Sequence, residues 1–363
     1  MTKPPPNLTH TILKRLPKVE LHSHLDGSLR VESMINQAQK DKVELPVTDP
    51  EELHKILAIG KRRCTLEEYI DRFELTLSTL QTHDSLVRAA CELAEDAAAE
   101  NVRYIEVRYS PILHTKQGMT PQEAVEAVRE GLKRAEKAFN IKSGIIICGI
   151  RNISPEISLK LADLAVQFKN KGVVGFDLAG AEENFPAKHH REAFYLILNN
   201  NINATIHAGE AFGPESIHQA IHYCGAHRIG HGTRLKEDHN LMQYMNDHRI
   251  AIEVCLTSNF HTKSVRSLKY HPVRYYYDQG LRVTLNTDNR LISNTTLTEE
   301  FWTAHELYDF NLYDFREVII TAMKSSFLNY SERKQMIRTI ADELEGDFGL
   351  VPEYFPSQQT SKE

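Results

Sequence analysis

Eight short apolar runs alternate with stretches that carry helix-start signals, and this recurrence constrains the fold more than any other feature. The runs are VELHS (19–23), NVRYIEVRYS (101–110), GIIICGI (144–150), VVGFDLAG (173–180), NATIHAGE (203–210), RIGHG (228–232), AIEVCLTSN (251–259) and RVTLNTD (282–288). Most are nearly continuous in apolar residues, the pattern of parallel strands covered by helices. Between them, Thr65-Leu-Glu-Glu68 has capping-box spacing ahead of Phe73, Leu77 and Leu80. Thr120-Pro121-Gln-Glu123 sets proline at the first helical position, ahead of Val125, Val128 and Leu132. Ser154-Pro155 and Thr296-Leu-Thr-Glu299 repeat the device. Alternating strands and helices form parallel βαβ units. Eight of them predict a closed (β/α)8 TIM-type barrel, with a doubly wound open sheet as the alternative.

The connection from Gly27 to Glu100 exceeds a simple crossover. It predicts extra helices inserted after the first strand, placed to include a lid over the barrel mouth. No Pro/Gly/Ser-rich linker divides the chain. Residues 1–363 are therefore expected to form one domain, with a core over about 16–345 and a polar C-terminal tail, PSQQTSKE.

Composition narrows the function classes. Lysine plus arginine number 43 against 49 aspartates and glutamates, a net charge of −6, with 41% hydrophobic residues. Mean hydropathy is −0.41. These values exclude a collagen, a disordered chain and a membrane-embedded bundle. The acidic balance argues against nucleic-acid and anionic-membrane partners. The five cysteines, Cys64, Cys91, Cys148, Cys224 and Cys255, are scattered and odd in number, which fits reduced thiols. MTKPPPNLTHTILKRLP has no apolar core of signal-peptide type, so the expectation is a cytoplasmic protein with no obligate protein partner.

In a barrel of this kind, chemistry sits at the C-terminal ends of the strands. Here those ends are polar: His22-Ser23-His24-Leu25-Asp26, His207-Ala208-Gly209-Glu210, Gly230-His231-Gly232 and Asn286-Thr287-Asp288-Asn289. Side chains alternate along a strand, so His22 and His24 project toward one point in the lumen. One histidine and one carboxylate from other strands would complete a site for zinc or iron. Plainer readings exist for each piece. In a chain with 18 histidines, HxH arises by chance; His207 suits a core histidine, Asp288 a helix cap, His231 a turn. Joint placement at four predicted strand ends outweighs them. His189, His190, His218 and His222 read as helix-surface residues. His261 and His271 stand nearer a site, without an assigned role.

LPKVELHSHLDGS, YIEVRYSP, GFDLAGAE, HAGE, GHG and LNTD occur here in the order found in adenosine deaminases, and the chain resembles that family from about Leu16 to beyond Asp288. The resemblance implies a metal-dependent amidohydrolase barrel with one zinc per chain, held by His22, His24, His207 and Asp288. It makes Glu210 the proton donor to purine N1, and His231 the residue that orients or deprotonates the attacking water. It places Asp26 on the ribose 5′-hydroxyl, the Gly180 backbone near purine N3, and His24 against the substrate as well as the metal. The substrate it implies is a purine nucleoside, adenosine or 2′-deoxyadenosine, deaminated to the inosine form.

The residues suit this chemistry. Zinc lowers the pKa of bound water from about 16 toward 7. Attack at C6 places charge on N1, which a protonated Glu210 in a dry pocket relieves. His231 and Asp288 compete for the water proton, and the sequence leaves both open. Many family members have two aspartates where this chain has Asp288-Asn289. Asn289 offers an N–H donor to purine N7 at any pH, and with Arg290 beside it leaves room for a shifted substrate preference. AMP and N6-methyl-AMP deaminases are disfavoured, since a carboxylate at Asp26 repels a 5′-phosphate. Deaminases of 6-aminodeoxyfutalosine or adenine keep the same chemistry and remain the alternative. A binuclear amidohydrolase would need a bridging ligand from a middle strand, and Glu182 lies beyond its strand end. A catalytically dead scaffold would lack Glu210, His231 or a ligand, and all are present. The HxE…PCxxC pattern of cytidine-deaminase zinc sites is missing.

Overall fold

Each of the eight apolar runs contains a strand. The computed structural model describes residues 8–60 and 62–351; the tail PSQQTSKE lies outside the described residues. The strands are β1 (Lys18–His24), β2 (Val102–Tyr109), β3 (Lys142–Ile150), β4 (Val173–Ala179), β5 (Asn203–Ala208), β6 (Arg228–His231), β7 (Ala251–Val254) and β8 (Val283–Leu285). They pair in sequence order, every pair parallel. A parallel bridge between Ser23 and Asp288 closes the ring. It donates from His24 N–H to the Asp288 carbonyl at 2.7 Å and from Asp288 N–H to the His22 carbonyl at 2.9 Å. The result is a (β/α)8 TIM-type barrel, and its closing bonds run through the polar strand ends singled out above.

Helices cover the outer face. Pro121–Ala138 shows why the sequence signals work. The Thr120 hydroxyl accepts the Glu123 N–H at 3.2 Å and the Glu123 carboxylate accepts the Thr120 N–H at 2.7 Å. Such a cap is worth about 1 kcal/mol. Val125, Val128 and Leu132 then fall on one buried stripe. Among the described residues, no helix is long and apolar enough to cross a membrane, and all five cysteines are unpaired.

The insertion after β1 holds helices Val31–Asp41, Pro50–Leu57, Leu66–Ile70, Phe73–Ser78 and His83–Ala99. Val31, Met34, Ile35, Leu53 and Leu57 form a satellite core with Leu291, just past β8. Ile59 and Tyr69 pack on Ile292. The insertion is thereby pinned to the barrel mouth. Two elements differ from expectation. The helix opened by Thr65 stops at Asp71 and restarts at Phe73, which lets Tyr69 and Phe73 turn toward the same cavity. The run AIEVCLTSN is strand only to Val254, and Leu256–His261 is helical. A short apolar run has no period that separates strand from buried helix.

The lumen is ionic where the runs read as apolar. Arg108 bridges Asp177 at 3.0 Å and Glu253 at 2.9 Å, and Arg228 bridges Glu106 and Glu253, each at 2.5 Å. These bonds link β2 to β4, β6 and β7, and β6 to β7. All five side chains are fully buried. Such a layer is sustained only because each charge is paired, since an unpaired buried ion costs several kcal/mol.

Candidate active site

The ionic layer supports a histidine layer above it. His22 and His24 end β1, His207 comes from β5 and Asp288 lies just past β8. One ligand atom from each of these four lies within 4.8 Å of all the others. His22 Nε2 and His24 Nε2 each stand 3.3 Å from Asp288 Oδ1, and His24 Nε2 stands 3.1 Å from His207 Nε2. A tetrahedral ion with bonds of about 2.0–2.1 Å spaces its ligand atoms about 3.3 Å apart. His22 Nε2 is buried without a hydrogen-bond partner. The donor set and its spacing fit a zinc ion.

The outer nitrogens are fixed from below. His22 Nδ1–H donates to Glu253 Oε2 at 2.8 Å, and His207 Nδ1–H donates to Asp177 at 3.1 Å. Both bonds leave Nε2 as a lone pair facing the site, the arrangement that metal-binding histidines use. Burial alone would raise the Asp288 carboxyl, but the contact and charge of His22, then His231 and His24, hold it well below the usual carboxylate range. Burial lowers His24 and His207 and keeps them neutral. His22 is raised: burial and Arg108 act against its proton, and its contacts with Asp288 and Glu253 outweigh them.

Glu210 lies in the same cavity, three residues beyond His207. Its Oε1 accepts from the Thr262 hydroxyl at 2.8 Å, and its Oε2 is 3.5 Å from His231 Nε2. Burial, then the charges of Asp288 and Glu182, push its carboxyl well above the usual range. Glu182 shapes this turn, accepting the N–H groups of Gly209, Glu210, Ala211 and Phe212 at 2.6–3.1 Å. Those bonds occupy its carboxylate away from the metal ligands. His231 and Asp288 both adopt left-handed backbone, φ +64° and +62°, a strain typical of functional positions. The Ser258 hydroxyl donates to Asp288 Oδ2 at 2.6 Å.

The cavity beside these groups measures about 390 Å³, within the range of small-molecule pockets, about 300–1,000 Å³. Asp26, Gly180 and Asn289 line it together with His24, His207, Glu210, His231 and Asp288. Asp26 is buried with Oδ1 unpartnered, and burial pushes its carboxyl up to about 7. Gly180 has φ +94°, and a Cβ there would lie 2.9 Å from Asn152 Oδ1. Asn289 packs its Oδ1 against Gly27, where it finds no hydrogen-bond partner. Arg290 turns away from the cavity to pair with Glu20 at 2.7 Å and with Glu100.

Several residues of the site carry no local signal. Leu66, Tyr69, Phe73 and Leu77, from the insertion, line the same cavity as the predicted metal ligands, and the Phe73 ring meets His24 edge to face, centroids 6.4 Å apart. Only their place in an overlong connection hints at this. Ser258 and Asn259 sit in the segment read as strand, and Thr262 follows it at the end of the helix Leu256–His261. His190, read as a surface residue, is buried and bonded to the Ser158 hydroxyl at 2.8 Å. His261 and His271 are buried as well.

The family model described as adenosine deaminase matches residues 17–343. An adenosine deaminase of Clostridium botulinum is 39% identical over 334 residues, covering 92% of this chain and 99% of that protein. A probable adenosine deaminase of Dictyostelium discoideum is 40% identical over 322 residues, 89% of this chain; the chain spans 42% of that longer protein. Among solved structures, the N6-methyl-AMP deaminase of Arabidopsis thaliana superposes with a TM-score of 0.82 at 26% identity, covering 93% of this chain and all of that one.

Proposed function

The chain belongs to the adenosine deaminase family of hydrolytic deaminases, and on that premise we propose that it converts adenosine and 2′-deoxyadenosine to inosine and 2′-deoxyinosine with release of ammonia, a purine-salvage step. The observation that carries this reading is the union of one four-ligand cluster and one buried carboxyl, Glu210, whose pKa burial raises, in a single nucleoside-sized cavity. One zinc per chain, held by His22, His24, His207 and Asp288, would supply a water of lowered pKa at neutral pH.

The side chains take the remaining steps. Glu210 delivers a proton to purine N1 as the water oxygen adds to C6; the water proton taken by Asp288 passes to the amino group as the C6–N bond breaks to free ammonia, and the C6 hydroxyl proton returns to Glu210 as the C6 carbonyl forms. Its raised pKa suits this role, because an acid must still hold its proton at the working pH. His231 stands beside Glu210 and steadies the adding oxygen. Asp288 would hold the metal, and it takes the proton of the attacking water. Asp26 pairs with the ribose 5′-hydroxyl, the Gly180 backbone faces N3, and Asn289 donates to N7 through its amide. His24 contacts the substrate from the metal side. Leu66, Phe73 and Leu77 of the insertion cover the purine and exclude water. A 5′-phosphate dianion would meet the buried Asp26 carboxyl, which burial pushes up to about 7 and which supplies it no positive charge, and this favours nucleosides over nucleotides. A cytoplasmic setting, in keeping with the unpaired thiols, completes the proposal.

The test compares ammonia release from adenosine, 2′-deoxyadenosine, adenine, 6-aminodeoxyfutalosine and N6-methyl-AMP with purified protein. Fast turnover of the two nucleosides is expected. Slow adenosine turnover beside fast turnover of another 6-aminopurine would transfer the assignment to that compound.

A further inference from the structure

The two ring nitrogens of His231 face different worlds. Nε2 looks into the cavity, 3.5 Å from Glu210 Oε2. Nδ1 looks away, 2.9 Å from the Asn259 amide nitrogen. Behind Asn259 stands His271, with Nε2 3.1 Å from Asn259 Oδ1. Behind His271 is a main-chain group, the Val273 N–H, 3.1 Å from His271 Nδ1. All four residues are buried.

The direction of this chain follows from its last member. A backbone N–H only donates, so His271 Nδ1 must be the lone pair. Burial, aided by the charge of Lys236, pushes His271 down to about 3, so the ring is neutral and carries its one proton on Nε2. That proton can only be accepted by Asn259 Oδ1. The Asn259 NH2 then faces His231, whose Nδ1 must accept. A neutral His231 is left with its proton on Nε2, pointing at the reacting atoms. The orientation of the amide is therefore dictated by the main chain.

We propose that Asn259 and His271 are positioning residues, forming a relay from the Val273 amide that locks His231 as the Nε2–H tautomer and makes it a hydrogen-bond donor in the site. The tautomer follows from the fold. Its consequence for catalysis rests on the deaminase reading. A donor at this position stabilises the oxygen that adds to C6, and leaves Asp288 as the group with a lone pair free for the water proton.

The test is spectroscopic first. In zinc-loaded protein labelled with 15N-histidine, long-range 1H–15N spectra distinguish the two neutral tautomers, and His231 is assigned by the signal lost in His231→Gln. The expected pattern is Nε2–H; an Nδ1–H pattern overturns the proposal, whether or not adenosine is a substrate. The second arm is Asn259→Asp, which is isosteric and keeps an acceptor for His271 but offers His231 only acceptors. His231 should switch to Nδ1–H, and kcat should fall by about 10²–10⁴-fold, the scale of a wrong-tautomer histidine. Zinc content and KM should stay near those of the parent, while the melting temperature falls with the cost of the buried carboxylate. An unchanged tautomer, or kcat within about threefold of the parent, would refute the relay.

Discussion

Glu253→Gln isolates how the barrel interior serves the site. Every partner of this carboxylate is a donor: His22 Nδ1 at 2.8 Å and Arg108 at 2.9 Å on Oε2, Arg228 at 2.5 Å and the Thr205 hydroxyl at 2.9 Å on Oε1. An amide has one acceptor side, so two donors must face its NH2. If they are His22 and Arg108, His22 is forced to the tautomer whose Nε2–H points into the metal cluster. If they are Arg228 and Thr205, a buried arginine loses a partner. Removing one member of a buried ion pair costs about 3–5 kcal/mol. With an unfolding entropy of about 2.1 cal/mol/K per residue, a chain of this size should lose about 4–7 °C in melting temperature. Loss of a histidine's orienting carboxylate weakens metal affinity by about 10–100-fold. Competition against a chelator of known affinity reads the second quantity and calorimetry the first. Zinc affinity within about twofold of the parent, together with an unshifted melting temperature, would refute the claim that the ionic layer orients the ligands.

Four further outcomes follow from Glu210 and Phe73. Glu210→Gln should lower kcat by about 10²–10⁴-fold with zinc retained, and turnover within about tenfold of the parent would remove Glu210 from the proton-donor role. The Glu210 carboxyl is raised in the fold, so parent activity should persist above the ordinary carboxylate range and fall as pH rises through that raised value. The same shift has a sign in metal-free protein. The native state holds a proton that the unfolded chain releases above about pH 4.3, so its stabilising contribution is full below that pH and lost as pH climbs to the folded pKa. Melting of Glu210→Gln against the parent should therefore diverge in the variant's favour from pH 5 toward pH 8; parallel curves would contradict the raised pKa. Phe73→Ala, truncating a half-buried cavity wall, should raise KM for adenosine about tenfold with little change in kcat, because it removes apolar cover that ground and transition states share.

Much of this architecture is legible in the sequence because its causes are local. Strands buried on both faces must read as apolar runs, and a capping box such as Thr120–Glu123 is complete within four residues. The polar tips His22, His24, His207 and Asp288 stand out for the same reason, and the fold does bring them to one point. What stays hidden depends on partners far apart in the chain. Glu253 meets His22 across 231 positions, so nothing near either residue announces the bond. The ionic lumen, the grip of Glu182 on the Glu210 turn, and the Asn259–His271 relay share this property. The helix at Leu256–His261 is hidden differently: its apolar start continues β7 without a break, and only the turn at Cys255 separates them. Tyr69 and Phe73 were visible merely as helix residues, since the break at Asp71 that aims them at the cavity leaves no proline or glycine mark.

If a zinc ion at His22, His24, His207 and Asp288 drives adenosine deamination, activity must follow the metal. The most direct measurement follows inosine formation while zinc is withdrawn by chelation and returned in known increments, with metal counted per chain. Activity should vanish with the metal and return linearly to a plateau at one equivalent. His207→Ala should fail to recover at any zinc level near stoichiometric. Undiminished conversion of adenosine by verified metal-free protein would contradict it.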